Sequence, residues 1–213
     1  MQLHSFFNSS TSYRVRIALA LKALPYDTLP VNIRTGEHRE AAYVANVNPS
    51  AAVPALVDGD FRLGQSLAIL DYLDQIQPTP RLIPLELRKR ARVLELATLI
   101  ACDIHPVNNL RVLRYLDSEL KVTQQQKTAW YRHWIAEGMA GVERLLARAD
   151  EGPWCFGDTP TLADICLVPQ VANALRMDCD LNAYPRSLAV YEHARHEPAF
   201  DAAQPQRQPD YVA

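Results

Sequence analysis

The sequence predicts a small α/β domain followed by an all-helical one, and three observations carry that prediction. Residues 1–78 alternate strand and helix signals. The segment PTPRLIP (78–84) carries Pro78, Pro80 and Pro84, which break helices and stiffen an extended stretch, and the linker is placed there, at 79–85. Residues 86–213 place their apolar positions almost wholly at helical spacing.

The elements follow in order. Leu3–Phe7 reads as a short buried strand. Tyr13–Leu24 is a helix of apolar residues that turns Arg14, Arg16 and Lys22 toward water, and Pro25 ends it. Tyr26–Ile33 alternates like a second strand, and Val53–Val57 with Phe61–Leu63 flank the turn Asp58-Gly59-Asp60 as a hairpin. Gln65–Ile76 is a second strong helix, giving the order β-α-β-(α)-β-β-α.

Beyond the linker, helices are expected over Glu86–Asp117, Thr123–Ala149, Thr161–Leu175 and Tyr184–Arg195. The first, if continuous, is roughly 45 Å long at ~1.5 Å per residue. Pro106 lies inside it and should kink it, since proline removes an N–H donor and clashes with the preceding turn. Thr161-Leu162-Ala163-Asp164 has the pattern of a capping box, a structural feature with no catalytic role. The tail after Phe200, AAQPQRQPDYVA, is expected to be loosely ordered.

Composition excludes several classes of function. The 22 basic and 24 acidic residues nearly cancel and form no long like-charge block, so no nucleic-acid surface is expected. The apolar runs are too short to span a bilayer. Cys102, Cys155, Cys166 and Cys179 show neither metal-site nor CxxC spacing, and no secretory signal precedes the fold. A cytoplasmic protein with reduced, mostly packing cysteines and no metal is the expectation.

Two helix starts carry the chemistry. Ser9, Ser10 and Thr11 sit just before the first long helix, where hydroxyls can cap orphan N–H groups or donate to an anion lodged there. Gln65-Ser66 opens the second, where Ser66 can cap the helix while the dipole attracts a carboxylate.

A βαβ–ββα unit followed by helices resembles the glutathione transferase layout, with a thioredoxin-like first domain. NPSAAVPAL (48–56) resembles that family's segment in which the residue before a cis-proline pairs its backbone with the cysteinyl part of glutathione; here these are Val53 and Pro54. Gln65-Ser66-Leu67-Ala68-Ile69 resembles its γ-glutamyl-binding element. SSTSYRVR (9–16) resembles the zeta-class signature SSCSxRVRIAL, and RVRIALALK, SLAILDYL, HPVNNLRVL and TLADICLVPQV resemble further zeta segments. The departure is Thr11, where the family pattern has cysteine. It removes thiol chemistry there and keeps a small donor.

That resemblance implies a glutathione-dependent cis–trans isomerase of a maleyl keto acid in aromatic-compound catabolism, maleylpyruvate being favoured over maleylacetoacetate. It implies Ser9 as principal donor to the glutathione thiolate, with Ser10 and Thr11 supporting. His38, Val53, Pro54, Gln65, Ser66, His105 and Asn109 join these three hydroxyl residues as cofactor-binding residues. Arg111 and Arg176 would take the two carboxylates of the substrate. Read as residues alone, a histidine such as His38 in a polar segment is more often a surface group, Arg111 is a solvated helix arginine and Arg176 a cation favoured by a helix C-terminus. Three partners or assemblies are implied: glutathione, a small dicarboxylate, and a second copy of the chain in a homodimer. The first domain, 1–78, would bind glutathione, and the helical one, 86–213, the substrate. The alternatives are a glutathione-conjugating detoxification transferase and a non-catalytic transferase-like interaction module. The latter predicts a damaged glutathione site, whereas Ser9, Val53-Pro54 and Gln65-Ser66 are all present.

Overall fold

The computed structural model describes residues 1–149 and 152–212. The chain divides into two compact units, Met1–Ile83 with Ala194–Ala213, and Pro84–His193.

In the first unit, β1 (Gln2–Ser5), β2 (Asp27–Pro30), β3 (Ala55–Asp58) and β4 (Phe61–Gly64) form one sheet in the order β2-β1-β3-β4. β1 pairs parallel with β2 and antiparallel with β3, and β3–β4 is the expected hairpin. Leu3 and Leu56 face each other across β1 and β3 and are both buried. Helices α1 (Ser10–Leu21) and α3 (Ser66–Ile76) pack together, burying Val15, Ile17, Leu19, Ile69, Leu70 and Leu73. A short helix, α2 (Ala41–Asn46), occupies the bracketed position of the expected order. This is the mixed sheet with helices expected of a thioredoxin-like domain.

Three cations of the first helix are not in water. Arg14, Arg16 and Lys22 are 1%, 1% and 2% exposed. The expectation failed because α1 is enclosed on more than one side, so its polar positions have no solvent face and must find partners inside. Lys22 pairs with Asp74 at 2.9 Å and donates to the carbonyls of Gln77 and Pro80. Asp74 also accepts from the N–H groups of Leu82 and Ile83 in the linker. Arg16 donates to Ser5 Oγ and to the carbonyls of Phe6, Phe7 and Ala203, and burial brings its pKa down to about 10.

Over its described residues, to Val212, the C-terminal tail packs as part of the first unit instead of lying loose. Helix α9 (Pro198–Ala202) packs on α1, and Phe200 is fully buried. Tyr13 Oη and Arg16 Nε donate to the carbonyls of Phe200 and Ala203, and Asp210 accepts the N–H of Phe7 at 2.8 Å. Its polar composition concealed this, because Ala203 anchors the tail through a backbone carbonyl, which every sequence has, and Asp210 through a carboxylate whose partner only the fold supplies.

The second unit is helical: α4 (Leu87–Thr98), α5 (Leu110–Ser118), α6 (Gln124–Leu146), α7 (Leu162–Arg176) and α8 (Pro185–Ala194). Pro106 does more than kink the long helix. A π-helical segment, Leu99–Ile104, and a 3-10 turn, Pro106–Asn108, separate α4 from α5. Asn109 then takes an extended conformation and caps α5, its side chain accepting the N–H of Arg111 at 3.1 Å. The Thr161–Asp164 capping box is present, and Asp164 also accepts the N–H of Cys155 at 2.7 Å. Burial raises the pKa of Asp164 and of the Cys155 thiol.

Candidate active site

The helix α1 starts three residues earlier than expected, so Ser9 is its N-cap while Ser10 and Thr11 lie in its first turn. Ser9 Oγ accepts the N–H of Ser12 at 3.2 Å. The same oxygen lies 2.9 Å from Thr11 Oγ1, which donates to the carbonyl of Val53 at 3.1 Å. A hydroxyl has one proton. With that of Thr11 given to Val53, Ser9 is the donor in the Ser9–Thr11 contact. Ser10 is buried at the first helical position.

The Val53–Pro54 peptide is cis. The loop that carries it is fixed from two sides. Tyr43 Oη and Asn48 Nδ2 both donate to the carbonyl of Ala52 at 2.8 Å. Asn48 in turn lies against Gly64, where an added Cβ would come within 2.9 Å of Asn48 Oδ1. Only glycine fits this close approach, which joins the Val53 loop to the residue before Gln65.

Gln65, not Ser66, is the N-cap of α3, and it makes no side-chain cap bond. Its φ of +66° is uncommon for a residue with a side chain, and such backbone clusters at ligand sites. Ser66 is the first helical residue, and its Oγ accepts from Arg14 Nη1 at 3.3 Å instead of capping. His38 is buried, at 7% exposure, in a 3-10 turn (Glu37–Arg39).

In the second unit, His105 Nε2 and Asn109 Nδ2 lie 3.3 Å apart, so two of the expected cofactor-binding residues meet. Arg111 is exposed at the start of α5. The 3-10 turn Pro106–Asn108 comes just before it, so Arg111 does not continue the helix expected over Glu86–Asp117. Arg176 is exposed at the last residue of α7 and bonds Asn173, whose amide reaches Tyr131 Oη at 3.0 Å. Burial pushes the Tyr131 phenol up to about 12, with Arg176 acting in the opposite direction.

Arg14, Tyr43, Asn48 and Asp210 were missed as parts or supports of the site. For Asn48 the close glycine, Gly64, was visible in the sequence; for the others only the fold supplies a signal. Cys155, Cys166 and Cys179 are buried and Cys102 is exposed. Among the described residues no group of three or more His, Cys, Asp or Glu is placed to hold a metal ion, and no helix is long and apolar enough to cross a membrane.

A thioredoxin-like unit with hydroxyls at the start of α1, a cis-proline loop beside them and a helical unit beyond defines the glutathione S-transferase class. The family model for the glutathione S-transferase N-terminal domain matches residues 8–76, and that for the C-terminal domain residues 128–193. A probable maleylacetoacetate isomerase of Vibrio cholerae is 46% identical over 98% of this chain and 97% of its own length. The solved structure of a bacterial zeta-class maleylpyruvate isomerase superposes with a TM-score of 0.96 at 44% identity, covering all of both chains. A maleylacetoacetate isomerase from Methylobacterium extorquens AM1, solved with bound malonate and glutathione, superposes at 0.94 with 34% identity, again over both whole chains. The chain belongs to the maleylacetoacetate and maleylpyruvate isomerase family of zeta-class glutathione S-transferases.

Proposed function

We propose that this glutathione-dependent isomerase converts maleylpyruvate to its fumaryl isomer, in preference to maleylacetoacetate, in the breakdown of aromatic compounds. The observation that carries the reading is the hydroxyl chain Ser9–Thr11–Val53. It sets one mobile hydroxyl proton at the positive end of α1, beside the backbone that is to pair with the cysteinyl part of glutathione.

The donor set fits the cofactor. When bound, glutathione supplies a thiolate that adds reversibly to the cis double bond and so permits its rotation. A free thiol titrates near ~8.5 and is only a few per cent ionised at neutral pH. Lowering that by two units requires about 2.7 kcal/mol in favour of the anion. One or two hydroxyl hydrogen bonds to a charged group, at ~1.5–3 kcal/mol each, with ~0.3–1 from the helix terminus, reach that figure. No buried base is needed. Ser9 is the principal donor, Ser10 supports it, and Thr11 holds the Ser9 proton until the ligand takes it. Val53 pairs with the peptide backbone, and Gln65 with Ser66 takes the γ-glutamyl carboxylate. His38, Pro54, His105 and Asn109 complete the cofactor-binding set that the zeta-class resemblance assigns.

Arg111 and Arg176 bind the substrate carboxylates, and the fork of a guanidinium suits that geometry. The preference for maleylpyruvate rests on its closer carboxylates and on Arg111 as a second cation. Residues 1–78 form the glutathione-binding domain, 79–85 the linker and 86–213 the substrate domain, of which 194–213 also buttress the first. The protein works in the cytoplasm as a homodimer, for which the half-exposed Phe61, against the ring of Tyr72, offers an apolar contact. The test is kcat/KM for the two acids side by side. A higher value for maleylpyruvate supports the preference, and a higher value for maleylacetoacetate reverses it.

A further inference from the structure

Of the three cations buried along α1 and at its C-cap, two are satisfied and one is not. Arg16 has four oxygen acceptors, and Lys22 has a carboxylate and two carbonyls. Arg14 is 1% exposed and makes one hydrogen bond, to the neutral oxygen of Ser66. Its Nε and Nη2 are buried with no hydrogen-bond partner, and among the described residues it joins no ion pair. Arginine keeps its charge in proteins, and an uncompensated buried charge is costly.

Its position increases that cost. Ser66 is the first residue of α3, an eleven-residue helix whose N-terminus already carries a partial positive charge. A cation behind that terminus opposes the dipole unless an anion sits in front of it. Arg14 also occupies a lone pair of Ser66 Oγ, and among the described residues the Ser66 hydroxyl donates to nothing. Its proton is left for a ligand.

The geometry points to Arg14 as a positioning residue for the α-carboxylate of the γ-glutamyl arm: its buried charge, relayed by Ser66, adds to the dipole of α3 and makes this end of the site selective for an anion. The inference rests on the reading that glutathione binds here with that carboxylate at the start of α3. Arg14 itself does not touch the ligand.

The test is calorimetric binding of two peptides, glutathione and γ-aminobutyryl-cysteinyl-glycine, which lacks only that carboxylate. The wild-type protein is expected to bind glutathione more tightly. Arg14→Gln should weaken glutathione by roughly tenfold, the scale of one hydrogen bond to a charged group, and leave the decarboxylated peptide within about twofold. Arg14→Lys should recover part of the loss. Equal weakening of both peptides reduces Arg14 to a structural role and overturns the proposal, as does unaltered glutathione binding. Should Arg14→Gln not fold, the Arg14 Nε–H resonance of the wild-type protein decides. A shift with glutathione alone supports the proposal, and the same response to both peptides refutes it. A wild-type protein that binds neither peptide sinks the glutathione reading itself, a different failure from a variant that does not discriminate.

Discussion

Replacing Ser9 separates two roles that one hydroxyl performs. As N-cap of α1 it satisfies the N–H of Ser12, and as donor to Thr11 it holds the proton a bound thiolate would take. Ser9→Ala removes both, and loss of such a cap costs about 0.5–2 kcal/mol of stability. Ser9→Gly removes the donor but keeps a tolerated cap residue, at a cost of a few tenths of a kcal/mol. The effect on the ligand follows from exchanging bonds. Binding a thiolate moves the Ser9 proton from a neutral oxygen, worth about 0.5–1.5 kcal/mol, to an anion, worth about 1.5–3. The net gain of roughly 1–1.5 kcal/mol is about one pKa unit. Both variants should therefore raise the thiol pKa of bound glutathione by about one unit, while only Ser9→Ala loses substantial stability. Ultraviolet thiolate titration of the binary complex and thermal unfolding measure the two separately. Thr11→Val supplies a change of opposite sense: it removes the competitor for the Ser9 proton, so the bound thiol pKa should not rise. An unchanged pKa in Ser9→Gly, or a rise in Thr11→Val matching that in Ser9→Ala, refutes the assignment.

Three further outcomes are expected. Lys22→Met leaves the buried Asp74 carboxylate with Arg81, at 3.4 Å, as its cationic partner and should cost about 3 kcal/mol in urea unfolding, the low end for breaking a buried pair. Adding Asp74→Leu should not restore the loss, because Asp74 also serves the N–H groups of Leu82 and Ile83; full recovery would show that only the ion pair matters. Asp210→Ala strips the Phe7 N–H of its acceptor and Arg16 of a nearby negative charge, so a loss of about 1–3 kcal/mol is expected by thermal unfolding, and none if the tail is dispensable. Arg176→Ala should lower kcat/KM by the equivalent of about 2–4 kcal/mol, and an unaltered value removes Arg176 from substrate binding.

The order of elements was legible because alternating and helical periods leave different traces, and the β3–β4 hairpin was signalled by Asp58-Gly59-Asp60. The hydroxyl cluster and the Val53-Pro54 motif were also legible, since each is local. What was hidden depends on enclosure. Arg14, Arg16 and Lys22 look like a solvated face until α3 and the tail close around α1. The tail looks polar and loose, yet a backbone carbonyl at Ala203 and the Asp210 carboxylate anchor it. The break at Pro106 was visible as a proline, but not the π-helical segment before it or the cap that Asn109 gives to α5. Nor could spacing rank the hydroxyls. That required the 3.1 Å bond from Thr11 to Val53, which leaves Ser9 with the proton to give.

The decisive measurement is the ultraviolet decay of maleylpyruvate with enzyme, followed with and without glutathione. Isomerisation should require glutathione, proceed with far less than one equivalent of it per substrate, and return it unconsumed. Equal rates with and without glutathione would contradict the coenzyme role, as would its stoichiometric loss into a conjugate.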